Sequence, residues 1–294
     1  GFDATSKWLR GRKAYGSLNL GNSDNNTGFN PFWWGADYTE TNAFNMAVSV
    51  PQDGLGLANL YGGRDQLADK LDTIFTTDGG YIGYGAMDGV GGIHEQREAR
   101  EVKLGQYGHS NQPAHHIPYM YLYSSRPWET QKYVRDILAR CYAGSTFGQG
   151  YIGDEDNGEM SAWYVLSSIG FYPLSMGNDE FAIGSPQFEE VTVNLEGNKK
   201  LVIKANNNSR ENVYVDSMYV NGVKYDKTFI KYEDLIKGGT IEFNMSSTPN
   251  KERGLEQDSL TSITTGDNKP QVYTDYSKDA DKSSSTGVTT LGNL

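Results

Sequence analysis

Residues 151–163 read YIGDEDNGEMSAW, and four carboxylates fall within six positions of this stretch with no Lys or Arg among them. They are Asp154, Glu155, Asp156 and Glu159. A solvated charge run normally mixes signs. This uncompensated group therefore predicts a site for a cation, for proton transfer, or for both.

The residues that follow, MSAWYVLSSIGFYP, have the pattern of a helix. Their apolar residues recur at spacings of three and four. The dipeptide Asn157-Gly158 is typical of a turn before the helix, and Pro173 is expected to close it. Asp154 and Asp156 are thus expected just before a helix N-terminus.

That position suits an ionised carboxylate, because the helix dipole stabilises it by ~0.3–1 kcal/mol. A general base must stay deprotonated at its working pH. Helix capping by Asp or Asn is the plainer interpretation, and it explains one such residue well. It does not explain three or four of them.

Composition limits the function classes. The chain has 294 residues, of which 37% are hydrophobic and 12% aromatic, and its net charge is −11. Binding to nucleic acid through phosphate neutralisation is not expected, because no cluster of five Lys or Arg occurs. The sequence contains no run of 18 apolar residues, the length that a membrane-spanning helix requires. Cys141 is the only cysteine, so an internal disulfide is excluded.

The chain divides into three regions. Residues 1–173 predict helices joined by long glycine-rich loops, with helices at 66–75, 113–123, 128–142 and 159–171 and loops at 21–36 and 79–104. Residues 174–250 predict an antiparallel sheet or sandwich, with short strands at 181–183, 191–195, 201–203, 213–215, 218–220 and 241–243. Residues 251–294, rich in Ser, Thr, Asp and Lys, predict a linker or the start of a further module.

A second segment, GQYGHSNQPAHHIPYMYLY at 105–123, holds three of the four histidines. They are His109, His115 and His116. On a helix opened by Pro113, His115 and His116 would point about 100° apart, so this segment alone does not predict a zinc site. Each histidine is a candidate for binding substrate or for satisfied packing, and the sequence leaves both open.

Asn111 and Gln112 stand just before the predicted helix of this segment. Their neutral side-chain oxygens suit a hard cation such as calcium, together with carboxylates and water. They are the candidate metal ligands, and Gln112 is also a candidate contact to the substrate.

A third segment, NPFWWGADYTETNAFNMAVSVPQDG at 30–54, places Trp33 and Trp34 near Asp37 and Glu40. Aromatic neighbours raise the pKa of a carboxyl group by desolvation, and a carboxyl that stays protonated near neutral pH is what a general acid requires. Two carboxyls in different environments form the usual machinery for cleaving a glycosidic bond. Glu40 is then the candidate acid, and Asp156 with Asp154 the candidate base.

These segments carry a resemblance to a known family. YIGDEDNGEMSAWYVLSSIGFYP, GQYGHSNQPAHHIPYMY and DYTETNAF resemble signature segments of glycoside hydrolase family 92, the calcium-dependent exo-α-mannosidases. IGSPQFEEVTVNL and VYVDSMYVNGVKY resemble its C-terminal β-region. Order and approximate spacing agree from Gly1 to about Asn250, which makes the combined resemblance specific.

The resemblance implies an N-terminal β-sandwich followed by an (α/α)6 toroid, with the active site between them. It implies an inverting enzyme that removes terminal α-linked mannose, with Glu40 as general acid, Asp156 as general base assisted by Asp154, and Ca²⁺ on the 2- and 3-hydroxyls of the mannose. Trp33, Trp34 and the three histidines are candidates for binding that sugar.

The expected fold of this chain is therefore mixed. Part of an (α/α)6 toroid is expected at residues 1–173, followed by the antiparallel β region. The start at Gly1 without Met predicts the C-terminal part of a larger polypeptide, whose upstream β-sandwich would complete the cleft. A secreted, periplasmic or cell-surface bacterial protein is expected from the family.

Two departures from the family pattern bear on the site. Gly-Asn-Ala-Trp is replaced by the residues 41–44, TNAF, and Asn-Glu-Pro is replaced by the residues 111–113, NQP. The second change removes a negative charge near the leaving group. We hypothesise a preference other than plain α-1,2-mannobiose, toward other α-linkages or a mannosyl phosphate.

Rival classes remain open at this stage. A non-catalytic carbohydrate-binding protein would explain the aromatics and the β region without needing the carboxylates. A calcium-binding structural module is disfavoured because residues 154–158 break the EF-hand pattern with a glycine at the fifth position. A serine hydrolase lacks its G-x-S-x-G motif. A zinc hydrolase would use His109, one of the two adjacent histidines and Asp156.

Overall fold

The computed structural model describes residues 2–11, 29–35, 37–78, 93–144, 148–255 and 258–269. The chain opens with a two-stranded antiparallel ribbon and continues into helices. The strands are β1 (Phe2–Asp3) and β2 (Trp8–Leu9). The α-helices in the described part of the first 169 residues are α1 (Ala43–Met46), α2 (Gly54–Tyr61), α3 (Arg64–Thr76), α4 (His94–Glu101), α5 (Trp128–Cys141) and α6 (Glu159–Ile169).

The predicted helices with the clearest apolar periodicity are confirmed. They are α3, α5 and α6. In α3, the residues that recur at spacings of three and four are the buried ones, namely Leu67, Ala68, Leu71, Ile74 and Phe75. An amphipathic stripe of this kind gains its stability from packing rather than from helix propensity.

Two predictions in this region need correction. The segment expected to be one helix at 113–123 forms two 3₁₀ stretches, Gln112–Ala114 and Ile117–Tyr123, and every residue of the second is buried. The segment expected to be a loop at 79–104 contains α4 in its described part. Much of that segment, and most of the loop expected at 21–36, lies outside the described residues.

Helix α6 ends earlier than expected. Gly170 adopts a left-handed conformation with φ = 101° and caps the helix directly after Ile169. Glycine takes this conformation without the steric cost that a Cβ would bring. Pro173 lies beyond the short strand β3 (Phe171–Tyr172) and does not close the helix.

The β region is mixed rather than antiparallel. Its strands after β3 are β4 (Glu180–Ile183), β5 (Glu190–Asn194), β6 (Lys200–Asn206), β7 (Tyr214–Val220), β8 (Val223–Lys224), β9 (Phe229–Lys231) and β10 (Gly239–Ser246), and helix α7 (Tyr232–Lys237) precedes β10. Five strands are hydrogen-bonded in the order β5-β6-β10-β7-β8, and β6 and β10 run parallel. A smaller sheet has the order β3-β4-β9.

Helix α5 joins the helical and β regions. One side of it packs against the buried stretch 117–123 and another against β7. Between the two regions, the Gln131 side chain accepts a hydrogen bond from the Val215 backbone N–H at 2.9 Å. The helices and the five-stranded sheet each enclose an apolar core.

Residues 258–269, which we call the C-terminal strap, lie against both regions. Asp53 accepts hydrogen bonds from Ser262 and Thr264 of the strap, and Glu180 accepts two from Thr261. The sequence predicts a linker or the start of a further module here, whereas the strap is hydrogen-bonded to both regions and buries Leu260, with most of its other residues exposed. None of the helices in the described ranges is long and apolar enough to cross a membrane.

Candidate active site

Three segments meet at the site: the residues before α1, the turn at 108–112 and the loop that leads into α6. Asn42 caps α1 by accepting from the Asn45 backbone N–H at 3.1 Å. Asn45 in turn donates to the Gln106 carbonyl at 2.9 Å and accepts from the Gly108 N–H at 3.0 Å. These buried hydrogen bonds fix the segment that carries Glu40 against the segment that carries Asn111.

Asn111 and Gln112 connect all three segments. The Asn111 amide donates to the backbone carbonyl of Glu40, and the Gln112 amide donates to Asp156 Oδ2 at 2.8 Å. The candidate acid and the candidate base are therefore both tied to one dipeptide. Glu40 is exposed in a left-handed conformation with φ = 51°, and Asp156 is exposed with φ = 53°.

The loop before α6 divides its carboxylates between two roles. Glu155 accepts from the Ser161 N–H at 3.2 Å and from the Ser161 hydroxyl at 2.8 Å, so it satisfies the exposed end of the helix. Asp154 and Asp156 are exposed and make no capping hydrogen bond to α6 within the described structure. Asp156 instead accepts from the Gln112 amide.

Two of the candidate histidines are enclosed in the protein. His109 has no exposed surface, and its ring nitrogens lie 2.7 Å and 2.8 Å from the hydroxyls of Tyr107 and Tyr142. Burial, with a smaller contribution from His115, lowers the pKa of His109 well below its usual value. The predicted role of His109 and His115 in touching substrate is therefore replaced by packing beneath the site.

His115 stacks on His109 with ring centroids 4.4 Å apart. Its Nε2 donates to the His109 carbonyl at 2.8 Å, since a carbonyl only accepts. Its Nδ1 lies 2.5 Å from Glu159 Oε2, a close contact between the imidazole and this carboxylate. Glu159 begins α6, and the contact thus anchors the helix to the histidine segment.

Of the three candidate histidines, His116 is the one that lies partly exposed. It lines an open groove with Gln112 and Glu159. Its Nε2 lies 3.2 Å from the Val48 carbonyl, and burial lowers the pKa of His116 to about 4. It is therefore neutral over the physiological range.

The tryptophans differ in exposure. Trp34 is only 8% exposed, and its ring edge approaches Gly108. Trp33 is half-buried. More of the Trp33 side chain than of the Trp34 side chain is therefore exposed to solvent.

Glu95 is a carboxyl near the site that the sequence reasoning missed. It lines a small cavity with Trp34, and one of its oxygens is buried without a hydrogen bond. Burial raises the pKa of Glu95, and the charges of Glu98 and Glu40 raise it further. The desolvated carboxyl expected beside the tryptophans is therefore found on α4. The residues HEQREARE at 94–101 form a charged helix, and nothing in that pattern singles out Glu95.

The donor chemistry at Asn111 and Gln112 fits a hard cation. Both amide nitrogens are engaged in the hydrogen bonds to Glu40 and Asp156, which leaves both side-chain oxygens available as ligands. Within the described ranges, no three His, Cys, Asp or Glu side chains are grouped to hold a metal. The zinc alternative also loses His109, because both of its nitrogens are occupied.

Comparison with known proteins identifies close relatives. The sequence profile described as "Glycosyl hydrolase family 92 catalytic domain" matches residues 1–247. A solved family GH92 alpha-mannosidase from Bacteroides thetaiotaomicron is 33% identical and superposes with a TM-score of 0.75 over 90% of this chain. A family GH92 inverting mannosidase from the same organism is also 33% identical, with a TM-score of 0.72 over 89% of the chain. An "uncharacterized secreted glycosidase" from Arthroderma benhamiae is 27% identical over 199 residues, or 67% of the chain.

These relatives are much longer than this chain. It covers 32% and 34% of the two solved mannosidases and 22% of the secreted glycosidase.

Proposed function

The chain belongs to glycosyl hydrolase family 92, and we propose that it forms part of an inverting exo-α-mannosidase that removes terminal α-linked mannose from glycans. The observation that carries the proposal is the paired contact of Asn111 and Gln112. One of these adjacent side chains bonds to the Glu40 backbone and the other to the Asp156 carboxylate. A single hexose resting on this dipeptide would have one carboxyl from each segment beside it.

The proposed chemistry divides between two carboxyls. Glu40 gives its proton to the departing glycosidic oxygen, and Asp156 removes a proton from the water that attacks the anomeric carbon. Asp154, two residues away and equally exposed, assists by keeping the charge of the base loop negative. Inversion requires room for that water, so the two carboxyls are expected to be roughly 6.5–9.5 Å apart when substrate is bound.

We propose Asn111 and Gln112 as ligands of a calcium ion. Calcium in such a site would bind the mannose 2- and 3-hydroxyls and favour distortion of the ring toward its transition state. Gln112 orients the candidate base, because its amide nitrogen donates to Asp156 at 2.8 Å. The side-chain oxygen of Gln112 would then bind the ion. Trp33 and His116 are the candidates for lining the sugar pocket from the outside.

We also propose that the helices are part of an (α/α)6 toroid completed by an upstream β-sandwich and further helices of a longer polypeptide. Two apolar surfaces support this. On α6, which is rich in apolar residues, Ala162 and Val165 are exposed, Val165 by 56%. A groove of about 500 Å³ runs past Tyr172 and Leu174 to Met176, which is 88% exposed. These exposed apolar side chains offer surface against which further parts of the polypeptide could pack.

Gln112 is the residue expected to set the preference for the leaving group. A glutamate in its place would put a carboxylate against Asp156, whereas the amide donates to it. An anionic leaving group such as a mannosyl phosphate meets less repulsion from the amide. Export of the protein is proposed by analogy with the secreted relative from Arthroderma benhamiae.

The test is an activity panel on the full-length protein, with calcium and after EGTA treatment. Substrates are α-1,2-, α-1,3- and α-1,6-mannobiose and mannosyl-phosphate-mannose. NMR of the first product should show the inverted anomer. Binding of mannosides without turnover of any of them would favour the rival non-catalytic carbohydrate-binding protein. A clear preference for α-1,2-mannobiose would refute the role given to Gln112.

A further inference from the structure

The two loops that carry Asn111 and Asp156 touch at one further point, where Gly153 lies on Ser110. A Cβ atom at Gly153 would lie 2.4 Å from the Ser110 carbonyl oxygen, 2.5 Å from its Cβ and 2.7 Å from its Cα. Gly153 also has φ = 72°. Both the backbone conformation and the close approach therefore require glycine at this position.

The contact between Gly153 and Ser110 neighbours the hydrogen bond from Gln112 to Asp156 along both loops. Ser110 stands two residues before Gln112, and Gly153 stands three residues before Asp156. The loops thus run side by side, with the Gly153–Ser110 contact as one point of attachment and the Gln112–Asp156 bond as the next.

Each loop is held from behind, so neither can yield easily. The Ile152 N–H donates to the Cys141 carbonyl at 3.1 Å, which fixes the base loop to the end of α5. The Asn111 N–H donates to the Gly108 carbonyl at 3.1 Å, which closes the turn around Ser110. A group inserted between Gly153 and Ser110 must push the two loops apart.

We propose that Gly153 is a positioning residue for the reaction. It sets the distance between the loop of Asn111 and Gln112 and the loop of Asp154 and Asp156. This inference rests on the proposed function, since the distance matters for turnover only if both loops serve one substrate.

The size of the effect follows from the contact distances. Ordinary contacts of a Cβ begin at 3.4 Å, so a methyl group placed 2.4 Å from an oxygen forces a separation of about 1 Å. A displacement of ~1 Å in a catalytic arrangement costs on the order of 100-fold in rate.

The experiment compares Gly153→Ala with Gly148→Ala in the full-length protein. Gly148 lies in the same loop with φ = 51°, and a Cβ there meets no atom of the described residues within 4 Å. Both substitutions strain a left-handed backbone, but only the first inserts an atom between the loops. A second pair, Gly153→Asn and Gly148→Asn, repeats the comparison with a residue that tolerates this conformation better.

Two readouts are measured for each pair. We expect kcat/KM on an α-mannoside to fall about 100-fold for the Gly153 variants, mainly in kcat, and by less than threefold for the Gly148 variants. Hydrogen exchange at the Asn111 and Ala114 amides should accelerate only in the Gly153 variants. If the wild-type protein is active, equal kinetics within a pair would overturn the inference, and so would equal exchange.

The exchange readout separates this inference from the proposed function. If the wild-type protein turns over no α-mannoside, the proposed function fails. Faster exchange at 111–114 in the Gly153 variants would still support a positioning contact between the loops. Unchanged exchange there would overturn it, whatever the activity.

Discussion

The attachment of the C-terminal strap through Asp53 gives a prediction whose size can be worked out from the structure. Asp53 accepts from the Ser262 hydroxyl at 2.7 Å and from the Thr264 N–H and hydroxyl at 2.8 Å each. It also caps α2 by accepting from the Gly56 N–H at 3.2 Å. Replacing Asp53 by Ala removes all four bonds.

A net hydrogen bond is worth ~0.5–1.5 kcal/mol, and more when one partner is charged. Taking ~1 kcal/mol for each of the three strap bonds, because Asp53 is only half-buried, the strap should open more easily by ~3 kcal/mol. That corresponds to an increase of roughly 100-fold in the open population. Loss of the cap should weaken the first turn of α2 by a further ~1 kcal/mol.

The measurement is native-state hydrogen exchange at Thr261. Its N–H donates to Glu180 at 2.9 Å, a partner that the substitution leaves in place. If the strap opens as one unit, exchange at Thr261 should rise about 100-fold in Asp53→Ala. Asn59→Ala, which removes only bonds to the carbonyls of Gly266 and Asn268, serves as the control with a smaller effect. Unchanged exchange at Thr261 in Asp53→Ala would refute a strap that opens cooperatively.

The same contact predicts a pH dependence. Burial raises the pKa of Asp53, but the hydrogen bonds from Thr264, Ser262 and Gly56 outweigh it and leave the pKa below its usual value. A carboxyl with a lowered pKa in the folded state stabilises above the unfolded pKa of about 4. Protection of the strap should therefore be constant from neutral pH to about pH 5 and fall in more acidic solution.

Four predictions concern the reaction. Glu40→Gln should abolish turnover of mannobiose but retain much of it on an aryl mannoside with a good leaving group, because such a group needs no proton; equal loss on both would remove Glu40 from the acid role. Asp156→Asn should lower kcat by several orders of magnitude with substrate affinity nearly intact, and retained kcat would move the base elsewhere. Gln112→Glu should shift the preference toward α-1,2-mannobiose, as read from kcat/KM ratios. EGTA should remove activity and calcium should restore it, whereas restoration by zinc alone would argue against the proposed ligands.

The sequence predicts secondary structure well where an element has a single periodicity of apolar residues. In α3 and α5 a single apolar stripe faces one core, so a window of ten residues carries the whole signal. The buried stretch Ile117–Tyr123 offers no polar face. Periodicity then says only that the stretch is buried, and tertiary packing selects the 3₁₀ conformation.

The sequence predicts two short strands where the structure has the single strand β7. Val215 and Met218 are both buried, yet they are three residues apart, whereas a regular strand buries every second residue. The register shifts between Asn244 and Met245 of the facing strand, which marks a β-bulge near Asp216. An extra residue reverses the alternation, so the sequence reads as two short strands at 213–215 and 218–220.

The candidate site shows the same division between local and tertiary information. The three segments that meet there could each be recognised from their residue types. Glu95 could not, because its raised pKa arises from burial beside Trp34 and from the charges of Glu98 and Glu40. The burial of His109 was equally hidden, since its two partners, Tyr107 and Tyr142, are ordinary tyrosines in the sequence.

The structure gives different roles to the four carboxylates at 154–159. Capping accounts for Glu155, and the contact with His115 accounts for Glu159. Folding therefore uses two of the four and leaves Asp154 and Asp156 exposed at a helix start. Asp156 also holds a left-handed backbone with φ = 53°, which an aspartate adopts only at some cost. Asp156 does not cap the helix that follows it and is held by Gln112 at 2.8 Å, which makes it the carboxylate of this group that the proposed function assigns to the reaction.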